Sequence, residues 1–403
     1  MIELGCIDPG VSEAACSAYL EEVKRLTMLP VSSVNAGLDK FVQHAVPPGG
    51  MSVVQLQGAL KQIGFFPGGK VDGIFGYRTL SAVRLFQEYA RTVEGVALTP
   101  DGEAGPLTQA EMQRWVQAGK TPAAWTPTIE AWRTGSLPDG EYTQWLALLR
   151  AVKQKCLAEP SAVNRLVNDF KQLTDTLKVA QWDYDDPAQI HLVGISRQQV
   201  KNLSDDIFVL LVKGLVFKFQ GSTEPGSSEA GKQPPFLVPG QHNYRFGWHR
   251  STYLALRPRT VGVMIVRSPE LDPPLDKRWT GNPPVTAVDI NVHWGGLGLK
   301  GQVNDWSHGC QVITGGLYLD AGNKLVNCTS FAAVGSKDPL TNPGKTRGAY
   351  NVLVDLVTAL GSDLPGNIVK YTLLLESDLA LALAVQQSLQ SDRERLLKQA
   401  GIG

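Results

Sequence analysis

The sequence predicts an α+β chain of several domains, a small three-helix module followed by a β-rich domain. Three observations point there. At 403 residues the chain is long enough for two or three domains, each with its own core. Residues 50–118 show helical periodicity interrupted by Asp-Gly turns. From about Gln189 the apolar pattern changes to short Val/Ile/Leu-rich runs bounded by Gly, Pro and Asn, the mark of strands and turns.

Residues 1–48 read as an N-terminal helical segment, with LEEVKRLTML and VNAGLDKFVQHAV as its periodic stretches and VPPGG as its close. In the module, residues 49–118, Ser52 is placed to cap a helix whose apolar positions Val53, Leu56, Leu60 and Ile63 recur at helical spacing, and Gly64 is placed to stop it. A second helix, YRTLSAVRLFQEYA, puts Leu80, Val83 and Phe86 on one face, and a third follows from DGEAGPLTQAEMQRWV. Residues 119–188 form a helical connector that opens Pro- and Trp-rich. Residues 189–375 form the β-rich domain, in which IHLVGI, DIFVLLVKGLVFKFQG, YLALRP, VGVMIVRS, TAVDINVHWGG, YNVLVDLV and VKYTLLL are the expected strands. Residues 376–403 form a terminal amphipathic helix with mixed charges, suited to packing on the body.

Charge and cysteine usage narrow the function. Lys+Arg 38 balances Asp+Glu 38, so there is no global field to gather nucleic acid or an anionic membrane. The five cysteines are irregularly spaced, without a Cys-x-x-Cys pair, which argues against a disulfide framework and against zinc. His242 and His249 are seven apart and fit no common zinc spacing, and no metal or cofactor is expected. The most apolar stretch, Ile207–Phe217, is 11 residues long and carries Lys213, too short to span a bilayer as a helix. The N-terminus has acidic residues early and no basic start before an apolar run, so synthesis in the cytoplasm without a signal peptide is expected.

The chemistry-bearing stretch is VNDWSHGCQVI. A lone cysteine is ordinarily a small core residue, as expected for Cys156 and Cys328. Cys310, directly after Ser307-His308-Gly309, is different, because a thiol attacks as thiolate and needs a base within reach. Alternation along DINVH puts Asp289, Asn291 and His293 on one face. A glycine-rich return through WGGLGLKG would bring Cys310 alongside His293. If Cys310 opens a helix or tight turn, the amides of His308, Gly309 and Cys310 converge to hold an oxyanion. Asp289 lies roughly 13 Å from His293 along such a strand, so a backbone carbonyl is the better orienter of the imidazole.

Two resemblances follow from these motifs. LQGALKQIGFFPGGKVDGIFGYRTLSAVRLFQEY with DGEAGPLTQAEMQRW resembles the peptidoglycan-binding type 1 domain. On that resemblance Asp72, Gly73, Phe75, Gly76, Asp101 and Gly102, in the twin Asp-Gly-x-x-Gly turns, belong to the peptidoglycan-binding module. His293 followed by Ser307-His308-Gly309-Cys310 resembles the L,D-transpeptidase (YkuD-like) catalytic domain, in a divergent, phage-associated branch, over about Gln189–Leu375. It implies a β-sandwich-like mixed sheet, Cys310 as nucleophile, His293 as general base, His308 and Gly309 at the oxyanion pocket and Ser307 as support for the loop. Family members commonly continue Cys-Ile/Val-Arg, whereas this chain reads Cys310-Gln311-Val312. Arg245, His249 and Arg250 are candidates to replace that arginine in substrate binding, with Trp294 and Gln311 beside the two motifs.

The implied activity is acyl transfer or hydrolysis on peptidoglycan tetrapeptide stems through a Cys310 thioester, with the glycan as the module's partner. The alternative is a non-catalytic wall-binding or structural protein with a degenerate transpeptidase domain, motivated by the Gly-Cys-Gln-Val departure. Neither nucleic acid nor membrane insertion enters either reading. Action in the periplasm or wall would follow lysis or delivery by a phage tail or secretion apparatus, as a lysin or an injected antibacterial effector.

Overall fold

A computed structural model describes residues 1–27, 41–66, 68–197, 202–229, 231–250, 252–268, 282–334, 345–361 and 368–402. The N-terminal segment contributes strand β1 (Cys6–Ile7), helix α1 (Glu13–Thr27) and strand β2 (Val42–Gln43), with β1 and β2 paired in parallel. The second expected helix, VNAGLDKFVQHAV, falls partly outside the described residues, and its Val42–Gln43 portion is strand.

The module is built by α2 (Val53–Gln62), α3 (Tyr77–Thr92) and α4 (Pro106–Gln117). Ser52 caps α2 through a reciprocal pair: its Oγ accepts the Gln55 N–H at 3.1 Å, and Gln55 Oε1 accepts the Ser52 N–H at 2.8 Å. Each Asp-Gly turn is held by a buried glutamine. Gln57 donates to Asp72 Oδ1, the Ile74 carbonyl and Thr79 Oγ1, and accepts from the Asp72 and Gly73 amides. Gln87 repeats the pattern with Asp101, Glu103, Thr108 and Gly102. Gly73 and Gly102 sit at φ +75° and +88°, where glycine alone is unstrained. The two turns are thus one device used twice, a short-range repeat concealed by the differing residues around Gln57 and Gln87.

These turn residues shape the module more than they present a surface. Phe75 is fully buried, and a Cβ on Gly76 would meet the Tyr19 hydroxyl of α1 at 2.1 Å. The N-terminal segment crosses both turns, bridging Ile7 to Ile74 and Ile2 to Ala104.

The β-rich domain holds strands β3 (Ile190–Ser196), β4 (Asp206–Val212), β5 (Leu215–Ser222), β6 (Pro235–Leu237), β7 (Gly240–His249), β8 (Tyr253–Pro258), β9 (Val263–Arg267), β10 (Val285–Ala287), β11 (Val292–Trp294), β12 (Gln311–Leu319), β13 (Leu325–Asn327) and β14 (Ile368–Leu375). The order β11-β8-β7-β14-β3-β4-β5-β12 closes on itself because β11 also pairs with the first residues of β12. The expected β-sandwich is therefore corrected to an eight-stranded barrel-like sheet, mixed because β14·β3 and β11·β12 are parallel. Closure satisfies both edges of the sheet, which an open sandwich leaves exposed. Beyond a register shift between Ile313 and Tyr318, β12 takes β13 as its outer neighbour. β6, β9 and β10 make a separate antiparallel sheet.

Strands β3 to β5 read as continuous apolar runs because both of their faces are covered. Ile207, Val209 and Leu211 pack outward with Trp145, Leu149 and Val152 of α6 (Glu141–Ala158), beyond α5 (Thr126–Arg133), and with Leu389 and Leu396 of the terminal helix. Phe208, Leu210 and Val212 face the other way, into a core shared with the module. The connector is accordingly a layer on the barrel, and α7 (Ala162–Asp169) continues it against Met264 and Val266 of β9. The module is docked rather than strung on a spacer: Arg84 of α3 forms a bidentate ion pair with Asp355, and Trp125 of the connector bridges module and barrel, 4.8 Å from Tyr89 of α3 and 5.9 Å from Phe217 ring to ring.

YNVLVDLV, read as a strand, belongs to helix α8 (Ala349–Leu360). Every residue of α8 is buried, between α3 and the barrel; its polar residues Asn351, Asp355 and Thr358 recur at helical spacing, a period that the apolar run between them outweighed in the strand reading. The terminal helix, α9 (Leu383–Ala400), packs on the barrel.

Burial of titratable groups gives a testable acid sensitivity. His242 is fully enclosed, with Nδ1 2.9 Å from Thr176 Oγ1 and Nε2 3.0 Å from the Val238 carbonyl. Burial pushes its pKa down to about 3. Unfolded, the same ring protonates near pH ~6.5. From that pH down to the folded value only the unfolded chain takes up this proton, so the contribution of His242 to stability is full above pH ~6.5 and is lost at ~1.4 kcal/mol per pH unit below it. His242→Gln is expected to flatten the fall in Tm between pH 7 and pH 5 relative to wild type. Parallel Tm curves for the two proteins would contradict this.

Candidate active site

The barrel closure builds the site. Parallel pairing sets Val292 against Gln311 and His293 against Val312, and the Gln311 N–H donates to the Asn291 carbonyl at 2.8 Å. Cys310 therefore enters β12 beside Asn291, with His293 two residues further along the neighbouring strand. Ordinary strand spacings put the Cys310 and His293 Cα atoms about 8 Å apart on one face. Both line an open cleft of about 480 Å³, with His249, Arg250, Tyr253, Arg257, Asp289, Asn291 and Trp306 among its walls. Cys310 ends a tight turn that follows the short 3-10 turn Asn304–Trp306 and stands immediately before β12, so of the expected helix or tight turn it is the turn that is found.

At rest Cys310 is a neutral thiol. Its S–H donates to the Asp289 carbonyl at 3.2 Å, and its sulfur accepts the Asn291 N–H at 3.4 Å. Burial raises its pKa to about 11, against the Asn291 N–H and the more distant Arg250 and Arg257, which lower it. Asp289 accepts from Cys310 through its backbone and its charge adds to the rise in the thiol pKa; it is not a hydrogen-bond partner of His293.

His293 is held by backbone. Its Nδ1 lies 2.8 Å from the Trp294 carbonyl, which assigns the proton to Nδ1 and leaves Nε2 as the basic nitrogen, and the Tyr253 hydroxyl stands 3.4 Å from the same Nδ1. Burial lowers its pKa to about 4 despite the Trp294 carbonyl, so the ring is neutral across the physiological range. His249 stacks on it at 4.3 Å between ring centroids and 23° between planes, and burial together with His293 holds His249 down to about 3.

The turn before Cys310 is braced. Ser307, fully buried, accepts the Gly309 N–H at 3.2 Å and donates to the Cys310 carbonyl at 2.7 Å. Gly309 sits at φ +117°, and a Cβ there would stand 2.4 Å from Pro235 Cγ and 2.7 Å from the Pro235 carbonyl oxygen. Glycine is required at this position on both counts. The Gly309 amide is therefore engaged by Ser307, not turned to the cleft. The His308 side chain is half exposed, with Nδ1 2.5 Å from Glu229 Oε1. Burial raises the Glu229 carboxyl, but the bond and charge of His308 together with those of Lys232 outweigh it and lower the group from its usual value.

The candidate substrate residues divide. His249 and Arg250 line the cleft with Cys310, whereas Arg245 sits four residues back along β7, outside its walls. Trp294 is fully buried against Tyr253 and Trp306. Gln311 is fully buried, donating to the Thr223 carbonyl at 3.2 Å and accepting from the Tyr371 hydroxyl at 2.7 Å. Trp294 and Gln311 thus build the barrel and do not face the cleft. Tyr253, Arg257, Trp306 and Glu229 are site residues that sequence reasoning missed. Tyr253 and Arg257 alternate along β8 and were legible as one face of a strand, but only the register with His249 and β11 turns that face to Cys310.

A neutral thiol beside a neutral imidazole makes a defined prediction. Alkylation of Cys310 by iodoacetamide is expected to accelerate up to about pH 11, without a plateau near neutrality. A plateau near pH 7 would mean a preformed thiolate–imidazolium pair.

Among the described residues, no group of three or more His, Cys, Asp or Glu is placed to hold a metal, and no helix is long and apolar enough to cross a membrane.

Residues 49–112 match the family described as a putative peptidoglycan binding domain. A spore cortex-lytic enzyme of Halalkalibacterium halodurans is 34% identical over 88 residues, covering 22% of this chain and 24% of the relative. The chain thus spans about a quarter of the length of the curated relative it matches. No solved structure matches the chain.

Proposed function

We propose that this protein acts on peptidoglycan: the docked module holds the wall, and the barrel cleft carries out acyl transfer on stem peptides through Cys310. The observation that carries the reading is the closure of β11 on β12, which puts Cys310 and a backbone-oriented His293 in one cleft. The module's match to a putative peptidoglycan binding domain, and the chain's likeness over 88 residues to a spore cortex-lytic enzyme, support the wall as the target.

In this mechanism His293 Nε2 takes the thiol proton as Sγ attacks the peptide carbonyl. The backbone amides of His308 and Cys310 are the proposed donors to the oxyanion. The C–N bond then breaks, the leaving amine takes the proton from His293, and a thioester remains. An incoming amine or water adds to the thioester with His293 again as base, and the C–S bond breaks to restore the thiol. Amine capture makes a transpeptidase, and water makes a carboxypeptidase. Arg250 and Arg257 supply positive charge at the cleft in place of the arginine absent after Cys310.

The non-catalytic reading keeps one specific support: the Cys310 hydrogen bonds go to backbone groups and not to an imidazole. Incubation with a carbapenem, an acylating β-lactam, separates the two readings. Intact-mass analysis is expected to show one adduct, located on Cys310. No adduct together with no turnover of tetrapeptide muropeptides would leave wall binding alone. Delivery by a phage tail or a secretion apparatus is part of the same proposal.

A further inference from the structure

We propose that Arg347 is the anchor for a carboxylate of the peptide that reaches Cys310, held in a second cavity at the junction of α3, α8 and the barrel. The inference rests on the stem-peptide reading of the cleft. Arg347, just before α8, lines a cavity of about 130 Å³ with Leu80 and Arg84 of α3, Asn351 of α8, and Trp248, Thr252 and Tyr253 of the β7–β8 hairpin. Those last three residues also line the Cys310 cleft, so the two cavities share a wall. Tyr253 stands between them, with its hydroxyl 3.4 Å from His293 Nδ1 and its ring 4.2 Å beneath the Arg347 guanidinium.

Among the described residues the guanidinium meets no counter-ion. Arg84, the other cation in the cavity, is engaged by Asp355 at 2.6 Å. Among the described residues no carboxylate pairs with Arg347, and its Nε is buried without an acceptor. Its contacts are instead the faces of Tyr253 and, at 5.6 Å, Trp294. Burial lowers its pKa to about 10, which leaves it charged at neutral pH. Arg347 is half-buried, and a charged group whose Nε is enclosed without an acceptor is costly and is retained where a ligand completes it. Ring stacking occupies the face of the guanidinium and leaves its edge for a planar, bidentate acceptor, which a carboxylate matches.

Stem peptides offer two sources, the C-terminal carboxylate and a side-chain carboxylate, and the test distinguishes them. Full-length Cys310→Ala protein is titrated by calorimetry with a synthetic tetrapeptide stem, with its C-terminal amide, and with its side-chain amide. The same titrations are repeated with Arg347→Met and with Arg347→Lys added, and thermal midpoints check that each variant is folded. One of the two amides is expected to bind about 10- to 100-fold more weakly than the free acid. Arg347→Met is expected to lose a similar factor and to become indifferent to that amidation, while Arg347→Lys recovers part of the affinity. Equal binding by Arg347→Met and its parent overturns the proposal. So does an amidation penalty of the same size in both backgrounds, or no binding of the free acid to the parent. Failure of the Cys310 reading appears elsewhere, as a missing carbapenem adduct on the wild-type chain with Arg347-dependent peptide binding intact.

Discussion

Cys310→Ala is expected to abolish turnover of muropeptides and the carbapenem adduct while leaving sacculus binding unchanged. Without the sulfur there is no thioester, and removal of the nucleophile in comparable covalent enzymes costs on the order of 10⁶ in kcat. His293→Ala, which removes only the proton carrier, is expected to cost about 10² to 10⁴. The ordering matters as much as the size. A Cys310→Ala protein as active as wild type on purified muropeptides would exclude the acyl-enzyme route. If both single variants are inactive, the products of the wild-type enzyme decide the reaction: crosslinked dimers for amine capture, tripeptides for hydrolysis. Wall binding should survive because the Cys310 cleft is formed by the barrel, whereas the family match lies in residues 49–112.

The largest expected effect on stability lies on β5, the neighbour of the strand that Cys310 precedes. Lys218 of β5 is buried and paired with Asp392 of α9 at 2.6 Å and with Glu141 of α6 at 2.5 Å. Lys218→Met should destabilise the protein by about 3–5 kcal/mol, because it strands the buried Asp392 carboxylate with only the more distant Arg395. The companion Asp392→Leu should return much of the loss in the double variant, since a matched apolar pair avoids the desolvation cost that one unpaired charge incurs. Denaturant unfolding of the two single variants and the double variant reads this directly. Hydrogen exchange is expected to show α9 opening first in Lys218→Met. A loss under 1 kcal/mol would mean that the terminal helix and the connector are not fastened to the barrel through this lysine.

The legible part of the fold follows from local physics. Ser52 and Gln55 form the α2 cap with groups three residues apart, and the Asp72-Gly73 and Asp101-Gly102 turns close around their own side chains, so neighbouring residues suffice to read them. The strands of β3 to β5 were legible from apolar runs bounded by turns. The helix α8 was missed, because its Val- and Leu-rich run favours a strand even though Asn351, Asp355 and Thr358 recur at helical spacing. Closure of the barrel was equally out of reach, since it depends on pairing between β11 and β12 and not on the composition of either strand.

The same division runs through the site. By itself the sequence determined that Cys310 follows Ser-His-Gly with His293 upstream, that Ser307 and Gly309 stand beside the thiol, and that no arginine follows it. Tertiary structure alone decided what those residues face. It turned Gln311 and Trp294 into the barrel and left Arg245 outside the cleft. It also set His249, Arg250, Tyr253 and Arg257 around Cys310, and Arg347 behind Tyr253. The physical reason is that a turn or a cap is satisfied by atoms a few residues away. A cleft, by contrast, is made where strands distant in sequence are brought into register, and that register belongs to the closed sheet as a whole.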